Sequence, residues 1–181
     1  ILESYIMRRM IIHATTKNYN NLFTSLILNT VLDSDSLIAR LKNNNDTTTY
    51  IPNDEELKDG FKKSKLVNLQ SRGIIYLIES RERPEHSSTA LLGFDNYSLE
   101  HLMPKKWRNN WPACETEEEA NNRDSILLTL GNLAIIPQSL NAAIRDANWK
   151  IKKEGKGKKP GLDICAAGLI TMYDVLQKEA W

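Results

Sequence analysis

The chain has 181 residues, 41% of them apolar, and its 24 Lys and Arg against 23 Asp and Glu leave a net charge of +1. That length suits one compact domain or two small ones, and the apolar share supports a core, which excludes a wholly disordered chain. No apolar run approaches the roughly 20 residues needed to cross a bilayer, and Ile1-Leu2-Glu3-Ser4-Tyr5 lacks the basic start and apolar block of a signal peptide. There is no initiating Met, so the chain is read as a segment of a longer protein. Cys114 and Cys165 are too few for a disulfide scaffold or a zinc cluster. Neither has a basic or histidine neighbour that marks a nucleophile. A cytoplasmic location with no membrane partner is expected.

In chain order the first half reads as helical. Leu2, Ile6 and Met10 recur at four-residue spacing and predict a helix over 2–13. Asn18 is a candidate cap for a second helix with Leu22, Leu26 and Ile27 on one face. Asp33 or Ser34 starts a third that reaches about Lys42. The polar run 43–49 predicts a loop. Pro52-Asn53-Asp54 opens a helix to about Lys63, with Asp54, Glu55 and Glu56 suiting its positive end. A longer helix over 68–82 buries Ile74, Ile75, Leu77 and Ile78, and the segment 83–88 ends it. No internal repeat is visible.

The second half changes character. Residues 97–102 read as a strand stopped by Pro104. Thr116-Glu117-Glu118-Glu119 fits a capping box for a helix ending near Leu130, with Gly131 behind it. Leu133-Ala134-Ile135-Ile136, closed by Pro137, reads as a buried strand. Ser139 caps a predicted helix running to about Lys153. Gly155, Gly157, Pro160 and Gly161 make a basic loop, and a last helix over 162–179 turns Leu162, Cys165, Ala166, Leu169, Met172, Tyr173 and Leu176 inward. The order strand, long insertion, strand, helix is a β-β-α unit with an enlarged hairpin loop.

Few residues carry a chemical signal alone. Glu100-His101 places a carboxylate beside an imidazole, either a metal ligand next to a general base or a surface acid next to a satisfied histidine. Adjacent strand residues face opposite ways, so both serve one site only if the chain bends there. Asn132 after Gly131 is either a turn residue or an amide that orients His101. Asn141, Arg145, Asn148 and Lys152 share one face of the predicted helix beside the stripe Leu140, Ile144, Ala147 and Ile151. Asn is a poor helix-interior residue, so two of them there point to a use for amides. Lys150, Lys152, Lys153, Lys156, Lys158 and Lys159, against Glu154 alone, are either a solvated helix end or a phosphate-contacting cluster. Trp107 and Trp111 read as core packing before they read as a DNA rim with Lys105, Lys106 and Arg108. His13 and His86 receive no role.

Three blocks, Tyr97-Ser98-Leu99-Glu100-His101-Leu102-Met103-Pro104, Leu130-Gly131-Asn132-Leu133-Ala134-Ile135-Ile136 and Asn141…Asn148-Trp149…Lys152, together resemble a known family. It is the C-terminal HNH-type (His-Me finger) nuclease domain of the GmrSD modification-dependent restriction endonucleases. Leu2-Glu3-Ser4-Tyr5-Ile6-Met7-Arg8-Arg9 and Pro52-Asn53-Asp54-Glu55-Glu56-Leu57 resemble the helical region ahead of that motif. The fold expected is α+β and mostly helical: a helical region over 1–90, then a β-β-α metal core over 91–181 with an enlarged hairpin loop and a C-terminal helix.

The resemblance implies metal-dependent hydrolysis of double-stranded DNA, modified or not. His101 matches the general base, Asn132 the residue that positions it, and Glu100 and Asn141 the metal ligands. Asn148 is expected near the metal or the phosphate and Lys152 on the DNA backbone, with Lys105, Lys156 and Lys158 as further DNA contacts. Oxygen and amide donors imply Mg²⁺ or Mn²⁺ rather than Zn²⁺. Glu100 departs from the Asp or His that many HNH nucleases carry. In the family an N-terminal NTPase and recognition domain accompanies the nuclease. No Gly-rich phosphate loop ahead of Lys-Ser or Lys-Thr occurs here, so no NTP hydrolysis is expected of this segment. The rival reading is a catalytically inactive DNA-binding or assembly module that retains the nuclease fold.

Overall fold

Local side-chain capping decides where several of the helices begin. Asp33 accepts from the Ser36 N–H at 2.8 Å and starts one helix. Asn53 and Glu56 form a reciprocal capping box that starts another. A computed structural model of the protein describes residues 1–29, 33–85 and 89–181, and of 141–143 only the backbone. His86 and the end of the expected break at 83–88 therefore lie outside the described residues, as does the Asn141 side chain.

The chain forms two compact units, Ile1–Ser64 and Lys65–Trp181. The division falls earlier than the expected boundary after residue 90, because the long helix Asn68–Glu82 contacts both strands of the second unit. The fold is α+β and mostly helical, and the described residues form two small two-stranded sheets. Among the described residues no helix is long and apolar enough to cross a membrane.

The first unit holds α1 (Leu2–Ile11), α2 (Tyr19–Leu28), α3 (Ser34–Lys42) and α4 (Asp54–Lys63). Tyr5, Leu22, Leu26 and Leu41 form its core, flanked by Tyr19, Phe23, Leu37 and Ile51. Arg9 is fully buried and ties the loops to α1. It donates to the carbonyls of Thr15, Thr48 and Tyr50 and to the Tyr19 hydroxyl. Its guanidinium also faces the rings of Tyr5, Tyr19 and Tyr50 at 5.4–5.6 Å. Gly60 lets α4 approach α1 closely, since a Cβ there would lie 2.7 Å from the Ile11 side chain.

The second unit begins with α5 (Asn68–Glu82) and continues with β1 (Tyr97–His101), α6 (Glu117–Ile126) and β2 (Leu133–Pro137). After these come α7 (Gln138–Ile144), α8 (Trp149–Glu154), β3 (Gly155–Lys156), β4 (Lys159–Pro160), α9 (Leu162–Cys165) and α10 (Tyr173–Gln177). β1 and β2 pair antiparallel from Tyr97↔Pro137 to His101↔Leu133. The strand ends therefore meet despite the long insertion. Trp107 and Trp111 are core residues that clasp that insertion: Trp107 Nε1 donates to Asp124 at 2.9 Å and Trp111 Nε1 to the Ala147 carbonyl at 2.9 Å.

Three expected elements change. The helix expected over 139–153 is two helices, α7 and α8. Asn148 caps α8 by accepting from Ile151 N–H at 3.0 Å, and Arg145 adopts a positive φ of 30°. The carbonyls of Asp146 and Ala147 are taken by Asn110 and Trp111. The helix expected over 162–179 is α9, a 3₁₀ turn and α10. Buried Glu79 explains the break: its carboxylate accepts the N–H groups of Ile170 and Thr171, which a continuous helix would turn on its own carbonyls. The helix after Thr116 stops at Ile126, and Glu119 reaches the Glu115 N–H rather than closing a box on Thr116.

Candidate active site

The end of β1 carries Glu100 and His101, and the chain turns immediately after them. Asn132, on the rung below β2, holds that turn. Its main-chain carbonyl accepts from Leu102 N–H at 2.9 Å. Its side-chain Oδ1 accepts from Met103 N–H at 2.8 Å, and Nδ2 donates to the Met103 carbonyl at 2.9 Å and the Leu127 carbonyl at 3.0 Å. Asn132 is 3% exposed, so these bonds are sheltered from water. The expected action on His101 is thus indirect: the amide fixes the main chain behind the histidine rather than the ring.

Glu100 and Lys152 form a buried ion pair, the carboxylate Oε1 receiving the ammonium of Lys152. The same ammonium donates to the His101 carbonyl at 2.6 Å. One lysine from α8 therefore grips two successive residues of β1. Burial pushes the Glu100 carboxyl up and the Lys152 ammonium down, each opposed by the other's charge. Both expected roles change with this geometry. Lys152, fully buried, reaches no DNA backbone from this position. Glu100 already has a cation on its carboxylate, so it does not fit the role of a divalent-metal ligand. Among the described residues no group of three or more His, Cys, Asp and Glu is placed to hold an ion.

His101 is half-buried, and its imidazole is pushed down to about 4 by burial first and then by the positive charges of Lys105 and Lys152. It is therefore neutral at pH 7, with a lone pair available to take a proton. Lys105 is exposed and near enough to His101 for its charge to be felt.

Asn148 sits apart from Glu100 in role, as the α8 cap. The expected shared face of Asn141, Arg145, Asn148 and Lys152 does not form, because the helix is broken between the second and third of them. Asn148, Lys156 and Lys158 instead line a cleft of about 620 Å³ together with Arg145, Asp146 and Lys159. The Gly155–Lys156 and Lys159–Pro160 strands form a tight hairpin that presents these lysines.

Sequence reasoning missed the Glu100–Lys152 pair, because a lysine defaults to the surface and nothing local marks this one as buried. It also missed Trp181, whose indole Nε1 donates to Asn132 Oδ1 at 3.1 Å.

No curated protein and no solved structure matches the chain. The family model described as GmrSD restriction endonucleases, C-terminal domain, matches residues 51–167. That span covers more than half of the chain and contains both strands of the hairpin, His101, Asn132 and the Glu100–Lys152 pair. The chain therefore belongs to the family of GmrSD restriction endonuclease C-terminal domains, a nuclease module whose substrate is DNA.

Proposed function

We propose that the chain is an HNH-type cutting module that hydrolyses phosphodiester bonds of double-stranded DNA, with His101 as the general base. The observation that carries this reading is the placement of His101. It is a neutral, half-buried imidazole at a strand end whose main chain is gripped by Lys152 on one side and followed by a turn fixed by Asn132 on the other. In the reaction a water oxygen attacks phosphorus while one of its protons passes to the His101 ring, and the bond to the leaving sugar oxygen breaks. A base held rigidly near its target spends little free energy on orientation. Lys105 is the exposed cation beside it, suited to the charge that grows on the phosphate oxygens.

Asn148, Lys156 and Lys158 are proposed as DNA contacts through the basic cleft, where Arg145 and Lys159 add positive charge and Asp146 is the acid. The family resemblance implies Mg²⁺ or Mn²⁺. Glu100 does not fit as its ligand, so no step is assigned to an ion here. The Asn141 part of that expectation falls on a side chain outside the described residues. The parent chain is proposed to supply an N-terminal NTPase and recognition domain, and the assembly to act in the cytoplasm on modified or unmodified DNA.

Plasmid nicking tests the reading, run with Mg²⁺, with Mn²⁺ and with EDTA. Wild-type protein should cut, and His101→Ala should abolish cutting while its circular dichroism stays native. Equal cutting by the two proteins would overturn the assignment. One observation favours the rival reading of an inactive DNA-binding module: the carboxylate next to the histidine is already neutralised by Lys152. That reading predicts DNA binding that weakens steeply with salt, and no cleavage under any ion.

A further inference from the structure

The segment after α10 folds back onto the candidate active site. The Lys178 carbonyl accepts from Trp149 Nε1 at 3.2 Å and from Lys153 Nζ at 3.0 Å, which anchors the tail to α8. The Trp181 ring then packs on Trp149, with ring centres 5.7 Å apart and planes tilted by 32°. Its indole N–H ends on Asn132 Oδ1 at 3.1 Å. This tail lies beyond the residues that the family model matches, which end at 167.

The Asn132 amide has two acceptor positions on its oxygen and two protons on its nitrogen. Met103 N–H fills one acceptor position and Trp181 the other; the Met103 and Leu127 carbonyls take the protons. Without Trp181 one lone pair of a buried amide is unsatisfied, and the group gains freedom to tilt. Any tilt is passed to Met103, two residues from His101. Trp149 gives a second route, since it lies on the same short helix as Lys152, which holds the His101 carbonyl.

We propose that Trp181 is a positioning residue for DNA hydrolysis, its indole N–H completing the hydrogen-bond shell of Asn132 and so fixing the turn that follows His101. The proposal rests on the nuclease reading above. The segment 178–181 is then a working part of the site, and a change that lifts it off α8 slows the chemistry without removing the lysines of the basic cleft.

Trp181→Phe keeps most of the ring stacking and removes the N–H. It should lower kcat about tenfold, the effect of roughly one lost hydrogen bond in the transition state, while KM for DNA stays within about twofold. Amide hydrogen exchange at Met103 should quicken in the same variant, a readout that needs no cleavage. Trp181→Ala, which also loses the stack, should show both effects more strongly. Wild-type kcat in Trp181→Phe would overturn the proposal, and so would unchanged exchange at Met103. A parallel fall in kcat, DNA affinity and melting temperature would overturn it too, because that pattern marks general loosening. If wild-type protein does not cut DNA, the nuclease reading fails and takes the catalytic part of the proposal with it. Exchange at Met103 still decides whether Trp181 holds the turn.

Discussion

Lys152 of α8 forms a buried ion pair with Glu100 at the end of β1 and also donates to the His101 carbonyl. Removing either member of a buried ion pair leaves a charge without its partner, which costs about 3–5 kcal/mol, whereas removing both together often costs much less. Glu100→Gln and Lys152→Met should therefore each destabilise strongly, and the double substitution should fall short of their sum by at least about 2 kcal/mol in urea unfolding. Additive costs would show that the pair is not coupled. His101 offers a second check, through pH. Its folded-state value of about 4 lies below the 6.5 of the free side chain. Between those values the unfolded chain binds the proton and the folded chain does not. Stability from the neutral imidazole is thus fully present above pH 6.5 and is lost as pH falls toward 4, by up to roughly 3 kcal/mol. The His101 ring signals in an NMR titration should stay unmoved from pH 8 to pH 5. Movement centred near 6.5 would place the ring in open solvent.

At the scale of elements, what a few neighbouring residues decide was legible and what distant partners decide was not. Asp33, Asn53 with Glu56, and Thr116 mark helix starts by bonds spanning three residues, so the sequence pattern contains the cause. The strand pair was legible for a similar reason: the apolar run Leu133-Ala134-Ile135-Ile136 closed by Pro137, and a short segment from Tyr97 stopped by Pro104, are local signals. The two false helices failed for the opposite reason. Glu79 stops the helix expected over 162–179 from some ninety positions away, and Asn110 and Trp111 take carbonyls in the α7–α8 break. Asn148 is out of place in a helix interior because it is the cap of α8. Asn148→Ala should cost about 1 kcal/mol, read from urea unfolding, and no cost would mean that the break persists without it. The β3–β4 hairpin depends on Gly155, whose φ of +92° and close approach to Lys159 leave no room for a Cβ. Gly155→Ala should displace Lys156 and Lys158. DNA affinity should then fall and its salt dependence flatten; an unchanged salt slope would remove the hairpin from the DNA contact.

The whole molecule divides its tasks unevenly between two units. His101, Asn132, Glu100, Lys152 and the basic cleft all belong to Lys65–Trp181, while the family match begins at residue 51, ahead of the Ser64–Lys65 division. The first unit has its own core, and its polar centre is Arg9 rather than a catalytic group. Arg9 satisfies three carbonyls and a hydroxyl with one planar fork, which a lysine ammonium cannot reproduce. Arg9→Lys should therefore cost about 3 kcal/mol or more, because buried carbonyls lose their donors. Since each unit buries its own apolar side chains, that loss should be confined. Amide exchange should quicken across α1 to α4, while the amides of Met103 and Asn132 keep their protection. A uniform loss of protection in both units would show instead that they unfold as one cooperative body, with the turn at Met103 and Asn132 losing protection along with α1 to α4.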